Sequence, residues 1–284
     1  MKTRATIAFA SAALLLALSA CGGGATDASP ANGAASASAT PAASSAAESP
    51  APTPTAEPAQ SSSPSPSTAA EKTYRMTKAY DIAPIDKTKT ESKVVLLTFD
   101  DGPKAEKTLK PLLDTLDKHK AKAIFFVNGY RVKARPELLK EIDDRGQIIG
   151  NHSWDHIQLG KEKADKIQDQ LERVQAIVKE VTGKTPVFFR PPNASGNDDV
   201  HAAAKKNGML YMTWSNGSLD WALGSKTKDK PQAVIDNVLK QLHPGSNILM
   251  HELPWTGEAL DRLLDALEEK GYGFVDPETI QIDV

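Results

Sequence analysis

The chain of 284 residues has one cysteine, Cys21, which excludes an internal disulfide framework. It also lacks an excess of either charge. Against 36 Asp and Glu stand 34 Lys and Arg, a formal net charge of −2. No basic stripe marks a nucleic-acid surface, so no nucleic-acid partner is expected. The apolar stretch at 7–20 has 14 residues, short of the roughly 20 that a membrane-spanning helix needs. Residues 22–72 lack the material of a core, being almost entirely Ala, Ser, Thr, Pro and Gly with scattered Glu. Such a segment cannot bury enough apolar area to offset its chain entropy and reads as a tether. At about 5–6 Å × √n, roughly 50 residues give a typical reach of ~40 Å.

What is present begins with an export signal. Lys2 and Arg4 precede the apolar stretch, which ends in Leu18-Ser19-Ala20-Cys21. That ending resembles a bacterial lipobox. The resemblance implies cleavage before Cys21 and a diacylglyceryl group on its sulfur, two acyl chains being enough for stable anchoring. The plainer reading is an ordinary cleaved signal followed by a cysteine. The expected organisation is a signal peptide at 1–20, a lipid-anchored tether at 21–72 and a catalytic domain at 73–284. The protein is then exported, held on the outer side of a bacterial membrane and facing the cell wall. A catalytic domain on such a leash favours a surrounding polymer as substrate.

From residue 73 onward, strand and helix patterns alternate. Apolar strand readings fall at 94–100, 123–128, 147–151, 187–190, 209–214, 247–251 and 273–276. Amphipathic stretches lie between them, among them 105–118, 136–144 and 162–181. This alternation predicts an α/β fold with a parallel sheet and outer helices.

Chemistry-bearing residues gather where these strands end. Residues 94–97 form a continuous apolar run suited to a strand buried on both faces. It leads into Thr98-Phe99-Asp100-Asp101-Gly102-Pro103, where two adjacent carboxylates meet a turn. Like charges side by side call for a cation, although an Asp-Gly turn alone is the bland alternative. His152-Ser153-Trp154-Asp155-His156 follows a second apolar run. Histidines four apart are predicted to share one face of a helical turn and to reach one ion. Two imidazoles and one carboxylate leave coordination positions open, as in a catalytic site. Zinc is the default ion, with cobalt, nickel, manganese and iron compatible.

These two segments resemble the first two motifs of the polysaccharide deacetylases, the NodB homology domain of carbohydrate esterase family four. Arg190-Pro191-Pro192 resembles the third motif, Leu219-Asp220-Trp221 the end of the fourth, and Ile248-Leu249-Met250-His251 the fifth. The resemblance spans roughly 93–280 and implies an irregular (β/α)7–8 barrel with the motifs at its mouth. It implies Asp101, His152 and His156 as metal ligands and Asp100 as general base. His251 would protonate the departing amine, Asp220 would orient His251, and Arg190 would hold Asp100 ionised. The oxyanion donor would be the N–H of Asn193, with Trp221 and Leu249 at the substrate. Arg190 and Asp220 could instead be plain salt-bridge partners.

Two positions depart from the family pattern. Asn193 and Ala194 stand where an aromatic residue and glycine are usual, and Ala194 would be strained if that glycine has positive φ. Gly217, or its neighbour Asn216, replaces an earlier aspartate of the fourth motif. Elsewhere, Trp214 is expected in the core, whereas Trp221 and Trp255 adjoin motif residues and could line a sugar groove. His119 and His243 adjoin helix ends, and His201 reads as an exposed helix start.

The resulting expectation is a monomeric, metal-dependent N-deacetylase of N-acetylated amino sugars in a surface polysaccharide, foremost peptidoglycan. An O-acetyl esterase on a plant or wall glycan and a non-catalytic wall-glycan-binding lipoprotein are the alternatives.

Overall fold

The computed structural model describes residues 70–284. The expected signal peptide, Cys21 and the expected tether up to residue 69 lie outside the described residues. The described chain opens with an antiparallel hairpin, β1 (Tyr74–Met76) and β2 (Ile82–Pro84), which the sequence reading did not anticipate. Strands β3 (Val94–Gly102), β4 (Ala123–Val127), β5 (Ile148–Asn151), β6 (Phe188–Phe189), β7 (Leu210–Tyr211), β8 (Asn216–Gly217), β9 (Ser246–His251) and β10 (Gly273–Phe274) follow. They form one parallel sheet in the order β7-β6-β5-β4-β3-β9-β8, with β10 beside the start of β3.

The helices are α1 (Glu106–Lys118), α2 (Gly129–Ala134), α3 (Pro136–Asp144), α4 (Ala164–Thr182), α5 (Asp198–Lys206), α6 (Lys230–Gln241) and α7 (Pro254–Glu269). Their buried positions follow helical spacing, as in Leu109, Leu112, Leu113 and Leu116 of α1. Local chemistry sets several ends. Asn197 accepts from Val200 N–H to cap α5, Asp229 accepts from Gln232 N–H to cap α6, and Gly183 closes α4 at φ 75°.

All seven expected strands are present. The one expected over 209–214 is shorter, and β8 is an addition. The sheet curls without closing, because β7 and β8 do not pair. Side chains and loop bridge that gap: Asn247 donates to Thr213 O at 3.1 Å, and its N–H donates to Ser215 Oγ at 3.0 Å. This is the α/β half-barrel form of the expected irregular barrel.

Alternation along the strands divides the core in two. Val95, Leu97 and Phe99 of β3 pack outward with the helices, as do Phe125, Val127, Ile248 and Met250. Leu96, Ile124, Phe126 and Phe188 pack inside the curl. The same parity carries Asp100, His152, Arg190 and His251 to the inner side at the strand ends.

Candidate active site

Strict alternation would send Asp101 outward, behind Asp100. The structure prevents this with a bulge. Pairing of β3 with β4 shifts between Asp100 and Gly102, and Asp101 takes φ 67°. Both carboxylates therefore serve one cleft of about 370 Å³. That cleft is lined by Asp100, Asp101, His152, His156, Pro191, Asn193, Trp214, Trp221, Leu249 and His251. A second cavity of about 300 Å³ lies at the opposite strand ends, near Gln147, Ile148, Val187 and Phe188, away from these groups.

Asp101, His152 and His156 offer three ligand atoms within 4.8 Å of one another. His156 Nε2 stands 3.0 Å and His152 Nε2 3.4 Å from Asp101 Oδ1. The helical turn expected for this histidine pair is absent. Ser153 and His156 adopt φ 65° and 56°, and the segment is an irregular turn after β5. Asn128 and Asn151 impose that path: Asn128 Nδ2 donates to His152 O at 2.8 Å, and Ser153 N–H donates to Asn151 Oδ1 at 3.0 Å.

The residues fit a divalent ion. His152 Nδ1 lies 2.7 Å from Arg190 O, an arrangement that assigns the ring proton to Nδ1 and leaves the Nε2 lone pair facing the site. Asp101 Oδ1 is buried and takes no well-formed hydrogen bond. A buried carboxylate oxygen without a proton donor, facing a lone pair, is the environment a cation relieves.

Asp100 borders this trio without being one of its three converging ligands, Oδ2 lying 3.7 Å from His152 Nε2. Its Oδ1 accepts from Arg190 NH1 at 2.8 Å. Arg190 is fully buried and fills the curl. It also donates to Thr98 Oγ1 at 2.8 Å, Thr213 O at 2.8 Å and Asn247 Oδ1 at 3.2 Å, and lies 4.3 Å over the Phe126 ring. Burial lowers its pKa and the Asp100 charge opposes that fall.

Across the cleft, His251 Nδ1 is 2.7 Å from Asp220 Oδ1. Asp220 Oδ2 accepts from the His251 N–H and from Thr256 Oγ1, both at 2.7 Å. Burial works against the imidazolium, but the Asp220 bond and the charges of Asp220, Asp100 and Asp101 outweigh it and raise the pKa.

The sequence reading missed Thr98, Asn247 and Thr256. Thr98 and Asn247 were accessible by parity, two residues before Asp100 and four before His251. Trp214 is a correction. It is half-buried and lines the cleft instead of the core, 6.3 Å from the exposed Trp221, because β7 ends early and the chain crosses the open side of the sheet. Trp255 does not line the cleft: its Nε1 donates to Asp220 O at 3.0 Å and Lys230 covers its ring. His119 Nε2 lies 2.8 Å from Asp261 Oδ1 and His243 Nε2 2.8 Å from Asp81 Oδ1, while His201 stacks on Tyr211.

At the departures, Asn193 and Ala194 have φ 55° and 51°. An alanine pays a steric penalty there that glycine avoids. Ala194→Gly is expected to stabilise the protein by about 0.5–1 kcal/mol in urea unfolding, the relief of strain exceeding the added chain entropy. Asn216 is buried and donates to Val238 O at 3.0 Å, while Gly217 O accepts from Gln241 Nε2 at 2.8 Å. Neither lines the cleft.

A model of the polysaccharide deacetylase family matches residues 87–212. The peptidoglycan-N-acetylmuramic acid deacetylase PdaA of Bacillus subtilis is 37% identical over 211 residues, 74% of this chain and 78% of that protein. The chain belongs to the polysaccharide deacetylase family. Membership makes it a hydrolase by class. A peptidoglycan-N-acetylglucosamine deacetylase of Bacillus cereus is 34% identical over 186 residues, covering 64% of this chain and 66% of that protein. Among solved structures, a family four pseudoenzyme from Bacillus anthracis superposes with TM-score 0.61 at 31% identity, over 68% of each chain. The chain thus spans about two thirds of the length of the last two proteins.

Proposed function

We propose that this protein is a divalent-metal-dependent N-deacetylase of N-acetylated amino sugars in peptidoglycan. One observation carries the reading: a carboxylate outside the ligand trio, Asp100, faces the same cleft as an imidazole backed by its own carboxylate, His251 with Asp220. The names of the Bacillus relatives support peptidoglycan as the polymer.

Asp101, His152 and His156 would hold the ion, zinc by donor type. When bound it supplies Lewis acidity toward the acetyl carbonyl and lowers the pKa of water. Asp100, kept as a hydrogen-bond acceptor by Arg190, takes the proton of the attacking water. The water oxygen bonds to the acetyl carbon, and the developing oxyanion takes the Asn193 N–H. The neighbouring Ala194 and Ser195 amides are already bonded to Pro191 O and Pro192 O. His251, proton-bearing at Nε2, gives that proton to the sugar nitrogen as the C–N bond breaks, leaving acetate and a free amine. Asp220 keeps the Nδ1 side filled so that Nε2 faces the substrate. Trp221 and Leu249 bound the space for sugar and acetyl group.

Lipidation at Cys21 and the 21–72 tether would hold this domain outside the membrane and within reach of the wall.

Purified protein is expected to release acetate from peptidoglycan or N-acetylglucosamine oligomers. Chelation should abolish release and zinc should restore it. Acetate from O-acetylated xylan alone would turn the assignment to an esterase. Glycan binding without turnover would favour the non-catalytic reading, which the likeness to a pseudoenzyme keeps in view.

A further inference from the structure

Glu252 follows His251 and takes no part in the steps above. It is 1% exposed, a position where a carboxylate is costly unless its oxygens are filled. They are filled. Oε2 accepts from Lys104 N–H at 2.8 Å, and Oε1 accepts from Ala105 N–H at 3.0 Å and Thr108 Oγ1 at 2.6 Å. All three donors belong to the start of α1 and the turn leading into it, the segment that continues from Asp101. Helix α1 has no side-chain cap at Ala105, and a carboxylate at this end complements its dipole.

The contact reaches still closer to the ligand set. A Cβ on Gly102, the residue after Asp101, would lie 3.1 Å from Glu252 Oε2. Lys104, whose amide Glu252 holds, carries its Nζ to 3.8 Å from Asp101 Oδ2. Pairing of β3 with β9 already sets Asp100 beside His251, and one buried side chain adds a tie between the end of β9 and the turn that follows Asp101.

We propose that Glu252 is a positioning residue that clamps the Asp101 turn to the end of β9, fixing the metal-holding half of the cleft against its acid half. The inference rests on the metal reading of Asp101, His152 and His156. It adds a residue for which the sequence offered no signal.

Glu252→Gln tests it selectively. One carboxylate oxygen becomes an NH2 donor, and the least costly orientation turns that donor toward the Lys104 N–H, leaving the Ala105 and Thr108 bonds in place. Zinc affinity of the full chain, measured by competition with a chromophoric chelator, is expected to weaken about tenfold, the lower range for outer-shell partners of a metal site. On N-acetylglucosamine oligomers, kcat should fall while KM stays within about twofold of wild type, since no substrate contact is lost. A folded variant with wild-type zinc affinity and kcat, changed only in Tm, would overturn the clamp and leave Glu252 as a helix cap. Should Glu252→Gln not fold, Thr108→Val removes one donor and keeps the carboxylate. Weakened zinc affinity in that folded variant would then support the clamp, and unchanged affinity would overturn it. Wild-type protein that binds no zinc would sink the metal reading itself, a distinct result.

Discussion

Asp100→Asn will lower the rate of acetate release by about 10²–10⁴-fold while zinc content and substrate KM stay near wild type. The amide keeps an acceptor for Arg190 NH1, now 2.8 Å from Asp100 Oδ1, but it has no basic oxygen for a water proton. Ligand geometry should survive, because Asp100 is not one of the three converging ligands. Asparagine is a cleaner replacement than alanine. Both substitutions take the opposite charge from a fully buried guanidinium, where breaking an ion pair costs about 3–5 kcal/mol, but Asp100→Ala also removes its hydrogen-bond acceptor. Loss of activity in that variant would mix catalysis with folding. If Asp100→Asn retains activity within tenfold of wild type, Asp100 is not the base. A wild-type zinc content measured alongside a lost rate would establish that the ion is held without it.

His251→Ala is expected to cut amide hydrolysis by about 10²–10⁴-fold and to spare ester hydrolysis far more. An amine leaves poorly unless protonated, whereas an ester's alcohol leaves with less help. Rates on an N-acetyl and an O-acetyl substrate, compared in one preparation, read the difference directly; equal losses would contradict the leaving-group role. The pH profile supplies an independent check. Asp220 and the neighbouring carboxylates raise the His251 pKa above the ordinary 6.5, so the active protonated form persists above that pH. The alkaline limb of kcat should therefore lie above pH 6.5, and Asp220→Asn should move it down. The linkage to folding has the same sign. Stability from the His251–Asp220 pair is fully present below pH 6.5 and is lost as pH rises through the folded-state value.

The candidate site was legible to different depths. Asp100 could be placed by parity, since Leu96, Thr98 and Asp100 share the inner face of β3. Asp101 could not, because its direction depends on a bulge defined by the register of β3 against β4. The His152–His156 spacing pointed to convergence through a helical turn. Convergence occurs, but Asn128 and Asn151 hold a non-helical turn to achieve it. Trp214 read as core because an apolar run continues up to it, and the structure ends β7 at Tyr211. Glu252 is charged and follows a motif histidine, so nothing local indicated its burial against α1.

The order of strands and helices, the end of the barrel that carries the motifs, and the polar residues bound for the inner face belong to the sequence itself. Burial periodicity is local, repeating every two residues in strands and 3.6 in helices, so a linear pattern records it. The folded chain alone decided that the curl stays open between β7 and β8, that a bulge turns Asp101 into the cleft, and that Glu252 is buried against the start of α1. Those outcomes depend on which strand lies beside which and in what register. Sheet order is a relation between distant segments, and their local patterns are compatible with several arrangements until the core is packed.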